Sequence, residues 1–441
     1  MNMKQLQLNK NIQNNITLYA NHLLVICMFF LPIYKQPISI SFVILFLMFL
    51  VRGDYKYYIK EAISNKIIQA CVAIFFVHVI WTIGSDNIEL AKDMINNSRY
   101  YLFSFIIVFF VDKTFSKRLL IAFILGMLLS EIISYLIHFE VIPYKLEIFN
   151  KIIYQAMAVN NPTPFLVHYT YNTFLSIVVG ILLYNLLVNK NKLIIKLISI
   201  FFIVTASINM ILVGGRIGYV VYIVVIFTTL FLIYRKRLFK FALPVALLSL
   251  SIFFFVAYNK GGLFQERIDS IYSDYNQLTK EDNINTSVGL RLTMWKYGLE
   301  VIKNNFIFGV GTGDQMSAIV NAAPEEKAKF IVFHHAHNGY IEYFLQFGII
   351  GLLAFLNLFY QIYKVKIEDK ALRAYLHIIN VSFLFYMLTN RLSRHTILAL
   401  LLFSLALSTK NSFLKADTIE YSKKLVIFYM FFIMIFLVRG Y

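Results

Sequence analysis

Residues 165–188 read FLVHYTYNTFLSIVVGILLYNLLV, and this stretch decides the class of fold. It contains no acidic residue, lysine or arginine, and it exceeds the roughly 20 apolar residues that cross about 30 Å of hydrocarbon. A helix satisfies its own backbone hydrogen bonds, as a segment in lipid must. The stretch therefore predicts a transmembrane helix.

Similar apolar blocks recur along the whole chain of 441 residues, which is 59% hydrophobic. A soluble domain of this size buries far less in its core. The blocks predict an all-α, polytopic membrane protein of about twelve transmembrane helices. They are Ile16–Ile33, Ile38–Val51, Ile67–Ile83, Tyr100–Val111, Leu119–Phe139, Phe165–Val188, Leu193–Val213, Ile217–Tyr234, Phe239–Tyr258, Tyr340–Tyr363, Leu372–Leu388, Thr396–Leu407 and Leu425–Val438. The last block is short, and it either spans the membrane or lies at the interface.

The net charge of +18 follows from membrane topology. Basic residues crowd alternate connections, at residues 52–66, 113–118, 190–196, 235–240 and 364–373. Connections rich in Lys and Arg stay in the cytoplasm, so the N-terminus is predicted to be cytoplasmic. The charge thus requires no nucleic-acid partner. Because no small-residue cleavage site follows the polar N-terminus, we expect an uncleaved first span in a bacterial inner membrane.

Alternation of the spans places residues 259–339 on the face opposite the basic connections, which is the periplasm in a bacterium. We therefore divide the chain into an N-terminal bundle at 1–258, a periplasmic loop at 259–339 and C-terminal helices at 340–441. Long polar loops of this kind are usually functional. Within the loop, helical spacing predicts helices at Gln265–Leu278 and Leu290–Lys303, and Pro324 precedes a short one at Glu325–Phe330.

Two arginines in glycine-rich surroundings are candidates for binding phosphate. Arg216 follows Gly214 and Gly215 at an exterior turn, and Arg291 opens the second loop helix. A guanidinium is a planar, permanent cation that binds phosphate oxygens in pairs, and neighbouring glycines allow close approach of the backbone. The structural alternatives are an interfacial anchor for Arg216 and a solvated surface residue for Arg291.

The glycine run at Gly309–Gly313, with Gly311 and Gly313, is weak support for a phosphate-cradling loop. It lacks the strand and the lysine of a nucleotide-binding loop.

The segment His334–Tyr340 contains three histidines and Asn338. Their spacing does not place three imidazoles on one helical face, so zinc is not expected. A neutral histidine at the boundary of the membrane, His337 with His335 beside it, is a suitable general base, and Asn338 could orient it or the substrate. The alternative is a polar, interfacial start to the next span.

Other polar residues in or near spans are weaker candidates. Cys27 and Cys71 lie inside predicted spans, and we interpret them as small apolar core residues. Arg391 and Arg394 lie at an exterior turn, where they could hold lipid headgroups or a donor phosphate. Ionisable residues within spans are interpreted as helix-packing contacts, namely Glu131, His78, His168 and His377.

In combination, these motifs resemble the O-antigen ligase and O-antigen polymerase superfamily of bacterial lipid-donor membrane glycosyltransferases. The order matches: an exterior arginine, a long exterior loop with a second arginine before a Trp-containing helix, and a Gly-Val-Gly-Thr-Gly segment. His337-Asn338 followed after nine residues by Gly348-Ile349-Ile350-Gly351 is similar to the ligase pattern. The specific similarity covers about residues 210–352.

The resemblance implies a GT-C-like enzyme that needs no metal and no cofactor. Its donor would be a glycan on undecaprenyl diphosphate, its acceptor a lipid A–core sugar, and its surroundings membrane lipids. Arg216 and Arg291 match the family's diphosphate-binding arginines, and His337 matches the histidine proposed to deprotonate the acceptor. Attack opposite the diphosphate would invert the anomeric carbon.

Three alternatives remain open from the sequence. Polymerases of the family often carry Arg, ten residues, then Gly in two loops, whereas Phe227 and Ile302 stand at that distance from Arg216 and Arg291. This favours a ligase over a polymerase. A ligase-like enzyme that glycosylates protein is another possibility. A transporter or flippase would suit the span number equally, but the chain shows no internal repeat and its chemical residues lie in a loop.

Overall fold

The computed structural model describes residues 3–34, 36–53, 55–148, 151–235, 242–329, 331–414 and 423–438. These residues are mostly helical, with almost no strand, so the predicted helical class is confirmed. The basic residues predicted at 236–240 and the beginning of the span predicted at Phe239 lie outside the described residues.

Apart from the helices at residues 55–64 and 88–98, which were not predicted, the helices of the N-terminal half follow the apolar blocks. They are α1 (Met3–Phe30), α2 (Gln36–Arg52), α3 (Tyr55–Ser64), α4 (Lys66–Ile80), α5 (Ile88–Ser98), α6 (Phe103–Phe110), α7 (Ser116–His138), α8 (His168–Val188), α9 (Leu193–Leu212), α10 (Arg216–Tyr234) and α11 (Leu243–Asn259). Two 3-10 turns, Arg99–Leu102 and Lys113–Phe115, precede α6 and α7. The predicted blocks at 165–188, 193–213 and 217–234 thus become α8, α9 and α10.

The remaining helices comprise the loop and the C-terminal part. They are α12 (Leu263–Lys280), α13 (Ser287–Asn304), α14 (Gln315–Ala322), α15 (Glu325–Ala328), α16 (Gly339–Lys364), α17 (Lys370–Tyr386), α18 (Arg394–Ser408) and α19 (Lys423–Val438). The helices predicted in the loop correspond to α12, α13 and α15, whereas α14 was not predicted. A short antiparallel hairpin, β1 (Lys145–Ile148) with β2 (Lys151–Gln155), also lies outside the prediction.

Length and composition allow five helices of the described residues to cross a membrane. They are Lys113–His138, His168–Val188, Leu193–Leu212, Arg216–Tyr234 and Gly339–Lys364. A sixth candidate is the pair α11 and α12, which bends by 93° between its two helices. The bend turns the chain from the apolar α11 into the polar α12, which packs against α9 and α13.

The exposed surface of the bundle fits a lipid environment. On α9, Ile194, Ile198 and Phe201 are 60%, 49% and 61% exposed, a run of apolar surface that water would disfavour. In contrast, α18 is buried all round from His395 to Leu407, which makes it a central helix. Both cysteines are buried and unpaired, as predicted for small core residues.

The long helix α16 is broken at Gly348, whose backbone has φ 61° and ψ −161°. The break leaves carbonyls of the preceding turn without helical partners. The N–H groups of Val310 and Gly311 donate instead to the carbonyls of Leu345 and Gln346, at 2.8 and 3.0 Å. The glycine-rich segment therefore packs into the gap of the broken helix. A Cβ on Gly348 would lie 2.1 Å from the carbonyl oxygen of Ile307, so no other residue fits there.

Candidate active site

Arg216 is the first residue of α10, at a turn that two neighbouring helices approach closely. A Cβ on Gly215 would lie 2.9 Å from Nδ2 of Asn172 on α8, and one on Gly214 would lie 3.0 Å from Nε of Arg267 on α12. Neither glycine has a positive φ, so both are required for space rather than for backbone conformation. The two glycines thus permit α8 and α12 to pack against the turn that carries Arg216.

The guanidinium of Arg216 is held by α12. Its Nη2 atom donates a hydrogen bond to Oγ of Ser270, and its Nη1 atom lies 3.7 Å from Oδ2 of Asp274. The two charged side chains are 21% and 14% exposed, so solvent screens the pair only in part. Arg267 precedes Ser270 by one turn on the same face of α12 and interacts electrostatically with Arg216.

Arg291 lies in the first turns of α13 and joins the same group of charges. The hydroxyl of Thr286 caps this helix by accepting from the N–H of Gly289, at 3.0 Å. Asp274 accepts from the N–H of Val288, at 3.3 Å, and so ties α12 to α13. Burial and then the neighbouring charge of Arg216 lower the pKa of Arg291 from its ordinary value. The two predicted arginines are therefore neighbours with like charge.

The histidine segment is fixed against α13 and α17 just before α16 begins. Nε1 of Trp295 donates to the carbonyl of Ala336, at 2.9 Å, and the N–H of Gly339 donates to the carbonyl of Met387, at 2.8 Å. Between these anchors His337 adopts a left-handed backbone with φ 51°. Left-handed geometry costs free energy in a residue with a side chain, and it persists only where the surroundings enforce it.

The electrostatic surroundings of both histidines are cationic. Burial, then the charges of Arg291 and Arg391, lower the pKa of His337 to about 4, while hydrogen bonding to the Thr389 backbone opposes the shift. Burial and the neighbouring His337, followed by Arg391 and Arg291, lower the pKa of His335 to about 3. Both imidazoles are therefore neutral at physiological pH. The acceptor nitrogen of His335 is taken by the N–H of His337, whereas His337 keeps its own acceptor nitrogen available for a proton.

Arg391, from the turn between α17 and α18, completes the cationic group. Its Nη1 atom lies 3.1 Å from Oε1 of Glu342, whose side chain is 3% exposed. Glu342 belongs to the first turn of α16, only one turn beyond His337. The pair therefore fixes the C-terminal helices to the end of α16 that follows the histidines.

Three supporting residues have structural contacts. Oδ1 of Asn338 caps α16 by accepting from the N–H groups of Tyr340 and Ile341, at 3.0 and 3.1 Å. The N–H of Gly313 donates to Oε1 of Gln346, at 3.1 Å, and the N–H of Gly311 is used in the gap of α16. These bonds favour the structural interpretation of the glycine run, because N–H groups that would cradle a phosphate are already committed.

The structure thus brings together most of the predicted site residues: Arg216, Arg291, His335, His337 and Arg391. Gly311 and Gly313 lie apart, where the broken α16 meets the residues from Trp81 to the first turn of α5. The sequence did not single out Arg267, Asp274 or Glu342. A signal for the first two was present, because residues 267, 270 and 274 are spaced by three and four and share one face of a helix.

Two comparisons with known proteins found matches to parts of this chain. Residues 201–356 match the family model described as O-antigen ligase, a segment that includes Arg216, Arg291 and His337 and ends before Arg391. An uncharacterised protein of Haemophilus influenzae is 29% identical over 156 residues, which is 34% of this chain and 39% of that relative. The match therefore spans well under half of the relative's length. The segment from residue 201 to residue 356 belongs to the O-antigen ligase family, which is the resemblance that its motifs predict.

Proposed function

We propose that this chain is an O-antigen ligase-like glycosyltransferase. It moves a glycan from undecaprenyl diphosphate to a sugar hydroxyl of lipid A–core, without a metal and with inversion. In this proposal about twelve helices cross the bacterial inner membrane, and the loop at 259–339 faces the periplasm. The family match supports a membrane glycosyltransferase-like enzyme with lipid-linked glycan and lipid A–core as general substrate classes.

The observation that carries the proposal is the position of His337 within the field of Arg291 and Arg391, with Arg216 adjoining Arg291 and Arg267 adjoining Arg216. Only Asp274 and Glu342 form ion pairs with these arginines among the described residues. A surplus of fixed, half-buried positive charge is unfavourable by itself and becomes favourable when an anion binds. A diphosphate is a suitable anion, because each guanidinium can offer two parallel N–H groups to its oxygens.

The reaction follows from this arrangement. The acceptor hydroxyl oxygen forms a bond to the anomeric carbon while the bond from that carbon to the diphosphate oxygen breaks. The electron pair leaves with the diphosphate, and the hydroxyl proton passes to the free ring nitrogen of His337. Arg216 and Arg291 stabilise the charge that develops on the leaving group, a task for which fixed cations suffice. Attack opposite the leaving group inverts the anomeric carbon.

The low pKa of His337 has a specific meaning in this scheme. Without donor, burial and then the charges of Arg291 and Arg391 lower the pKa of the imidazole and keep it a weak base. A bound diphosphate offsets those charges, so the pKa of His337 rises toward its ordinary value when the donor is present. The base thus becomes stronger when its substrate has arrived, which suits general base catalysis near neutral pH.

The second candidate is the polymerase reaction, in which the acceptor is another repeat unit on the lipid carrier. The family match is compatible with both reactions. The spacing after Arg216 and Arg291 favours the ligase, since Phe227 and Ile302 replace the glycines of the polymerase pattern. A flippase is disfavoured, because the charged groups converge at one end of the helices rather than within the bundle.

The proposal is tested by deleting the gene in its host and examining lipopolysaccharide together with undecaprenyl-linked glycan. Complementation uses the wild-type gene, His337→Ala and the matched control His334→Ala, an exposed histidine of the same segment. We expect long glycan to accumulate on the carrier while lipid A–core stays bare, with rescue by the wild type and the control only. Single repeats on both carrier and core would identify the polymerase, and unchanged glycans would contradict both reactions.

A further inference from the structure

A cavity of about 390 Å³ lies on the side of Arg391 that faces α5 and α18. Its walls come from the end of α5, the 3-10 turn that follows, the first turns of α16 and the beginning of α18. Its volume falls within the range of sites that hold small ligands. The polar residues of its lining include Asn97, Tyr101, Glu342, Tyr343, Arg391 and Arg394.

Glu342 is the buried polar group of this cavity. Oε1 is occupied by Arg391, and the N–H of Ala336 also interacts with the carboxylate. The buried Oε2 atom, however, has no hydrogen-bond partner at normal distance among the described residues. Buried carboxylate oxygens are almost always hydrogen-bonded, so a missing partner in a cavity indicates a ligand with a donor.

The other walls are suited to hydroxyl groups. The hydroxyls of Tyr101 and Tyr343 lie 3.3 Å apart, and either can turn its proton toward a ligand. At the rim, Nε of Arg394 donates to Oδ1 of Asn97, which leaves the amide N–H groups of Asn97 available for other contacts. Aromatic rings combined with convergent donors and acceptors suit a polyhydroxylated ring such as a sugar.

The position of the cavity decides which substrate it serves. His337 lies in the field of Arg291 and of Arg391. Arg291 belongs with Arg216 and Arg267, where the proposed function places the donor diphosphate, whereas Arg391 lines the cavity. Displacement with inversion brings the acceptor hydroxyl to the anomeric carbon from the side opposite the diphosphate, and the general base must lie within hydrogen-bond reach of that hydroxyl. The side of Arg391 is therefore the side from which an acceptor hydroxyl reaches His337.

We propose that this cavity binds a sugar of the acceptor, with Oε2 of Glu342 accepting from one of its hydroxyls. The inference rests on the proposed function, because it names the subsite for the second substrate of the same reaction. The sugar could belong to lipid A–core or to a second lipid-linked repeat. The chemistry recognised is the same, and the two acceptors are separate arms of the test.

The test uses Asn97→Trp, which fills the cavity from its rim, and Glu342→Gln, which replaces the unpartnered carboxylate oxygen. Asn96→Trp is the matched control, since Asn96 is the neighbouring residue of α5 and does not line the cavity. Transfer by the purified proteins is measured with the acceptor varied at saturating donor, and then with the donor varied. Each series uses lipid A–core and undecaprenyl diphosphate-linked repeat as acceptors.

We expect the acceptor KM to rise about tenfold or more in both cavity variants, with a donor KM close to that of the wild type. Asn96→Trp should behave as the wild type. If Glu342→Gln does not fold, Asn97→Trp still decides, because Asn97 lies at the rim and is not part of the Arg391 ion pair. A rise in donor KM instead would assign the cavity to the donor glycan, and unchanged constants would exclude a sugar site there.

A binding measurement separates failure of this inference from failure of the proposed function. Free core oligosaccharide and undecaprenyl diphosphate are each titrated into wild type and Asn97→Trp by calorimetry. We expect the variant to lose affinity for the oligosaccharide and to retain it for the diphosphate. Absence of transfer by the wild type would contradict the proposed function alone, whereas oligosaccharide affinity that the variant retains would overturn the acceptor subsite.

Discussion

The imidazole rings of His335 and His337 lie 4.1 Å apart, and Nδ1 of His335 accepts a hydrogen bond of 3.2 Å from the backbone N–H of His337. The bond runs from a side chain to the N–H two residues later, as in the turns that Asn and Asp make. It holds the backbone of His337 in its left-handed conformation. In the proposed mechanism we therefore expect His335 to position His337 and to transfer no proton of its own.

This relationship predicts different results for two substitutions of His335. His335→Ala removes the acceptor and should lower kcat about tenfold. His335→Asn keeps a short acceptor for the N–H of His337, so it should retain most of the wild-type kcat. Transfer by the purified proteins at saturating substrates is the measurement. Equal losses in the two variants would show that the imidazole itself takes part in the reaction.

The proposed base predicts the effect of His337→Ala. Its loss should reduce transfer about 10²- to 10⁴-fold, the contribution usual for a positioned general base. Affinity for undecaprenyl diphosphate should remain, since the arginines are intact. The assay compares transfer and donor binding with those of His334→Ala, which we expect to match the wild type. Full transfer by a folded His337→Ala protein would remove His337 from the mechanism.

The arginine cluster predicts that the planar shape of the Arg216 guanidinium matters for transfer as much as its charge. Arg216→Lys keeps the positive charge but loses the planar fork, and transfer should fall about 10- to 100-fold. The matched substitution is Arg235→Lys, at the opposite end of the same helix, which should leave transfer unchanged. Steady-state kinetics with varied donor distinguish the two. Equal activity of both variants would indicate that Arg216 is only an anchor at the membrane interface.

The pKa of His337 predicts the pH dependence. The base must be unprotonated, so activity is lost as the pH falls through its pKa. In free enzyme that value is about 4, and the acid limb of kcat/KM should lie near it. In the donor complex the anion raises the pKa of His337, so the acid limb of kcat should lie at higher pH. Coincident acid limbs would show that the bound donor does not act on this group.

The break in α16 predicts a large difference between two glycine substitutions. Gly348→Ala and Gly84→Ala both force a side chain into positive φ, at a cost of about 1–3 kcal/mol. At Gly84 no atom lies within 4 Å of a new Cβ, whereas at Gly348 the Ile307 carbonyl oxygen is 2.1 Å away. Thermal unfolding in detergent should thus show a markedly lower midpoint for Gly348→Ala. Equal midpoints would indicate that the loop moves aside without loss of stability.

The sequence predicted those features of the fold that depend on local composition. The apolar blocks became helices, and the second block of the loop, Leu290–Lys303, corresponds to α13, which carries Arg291. The 93° bend after α11 was not predicted, because it results from tertiary packing that no local pattern records. The same holds for the pairing of Arg391 with Glu342, which are 49 residues apart in the chain. The number of spans stays a prediction.

Among the site residues, motifs identified those that stand beside glycines or other histidines. Asp274 lacks such a context, and its importance appears only when α12 folds back over the turn at Arg216. The glycine run at Gly309–Gly313 suggested a phosphate-binding loop. The sequence cannot show whether the backbone N–H groups of such a run are free to bind phosphate. In the structure the N–H groups of Val310 and Gly311 serve the broken helix instead.

The break at Gly348 also has a consequence for how this chain would adapt to the thickness of a bilayer. A continuous span adjusts to a thinner or thicker membrane by tilting as one rod. In α16 two helical segments meet at the break at Gly348. The first segment, which begins after Asn338, packs against the loop that contains Ile307 and Val310. The second segment follows Gly348 and contacts α17, where Asn380 donates to the carbonyl of Phe359 at 3.1 Å. We expect this segment to tilt about the break at Gly348. We therefore expect the segment after Gly348 to adjust to hydrophobic mismatch, and the backbone around His337 to keep its geometry in membranes of different lipid composition.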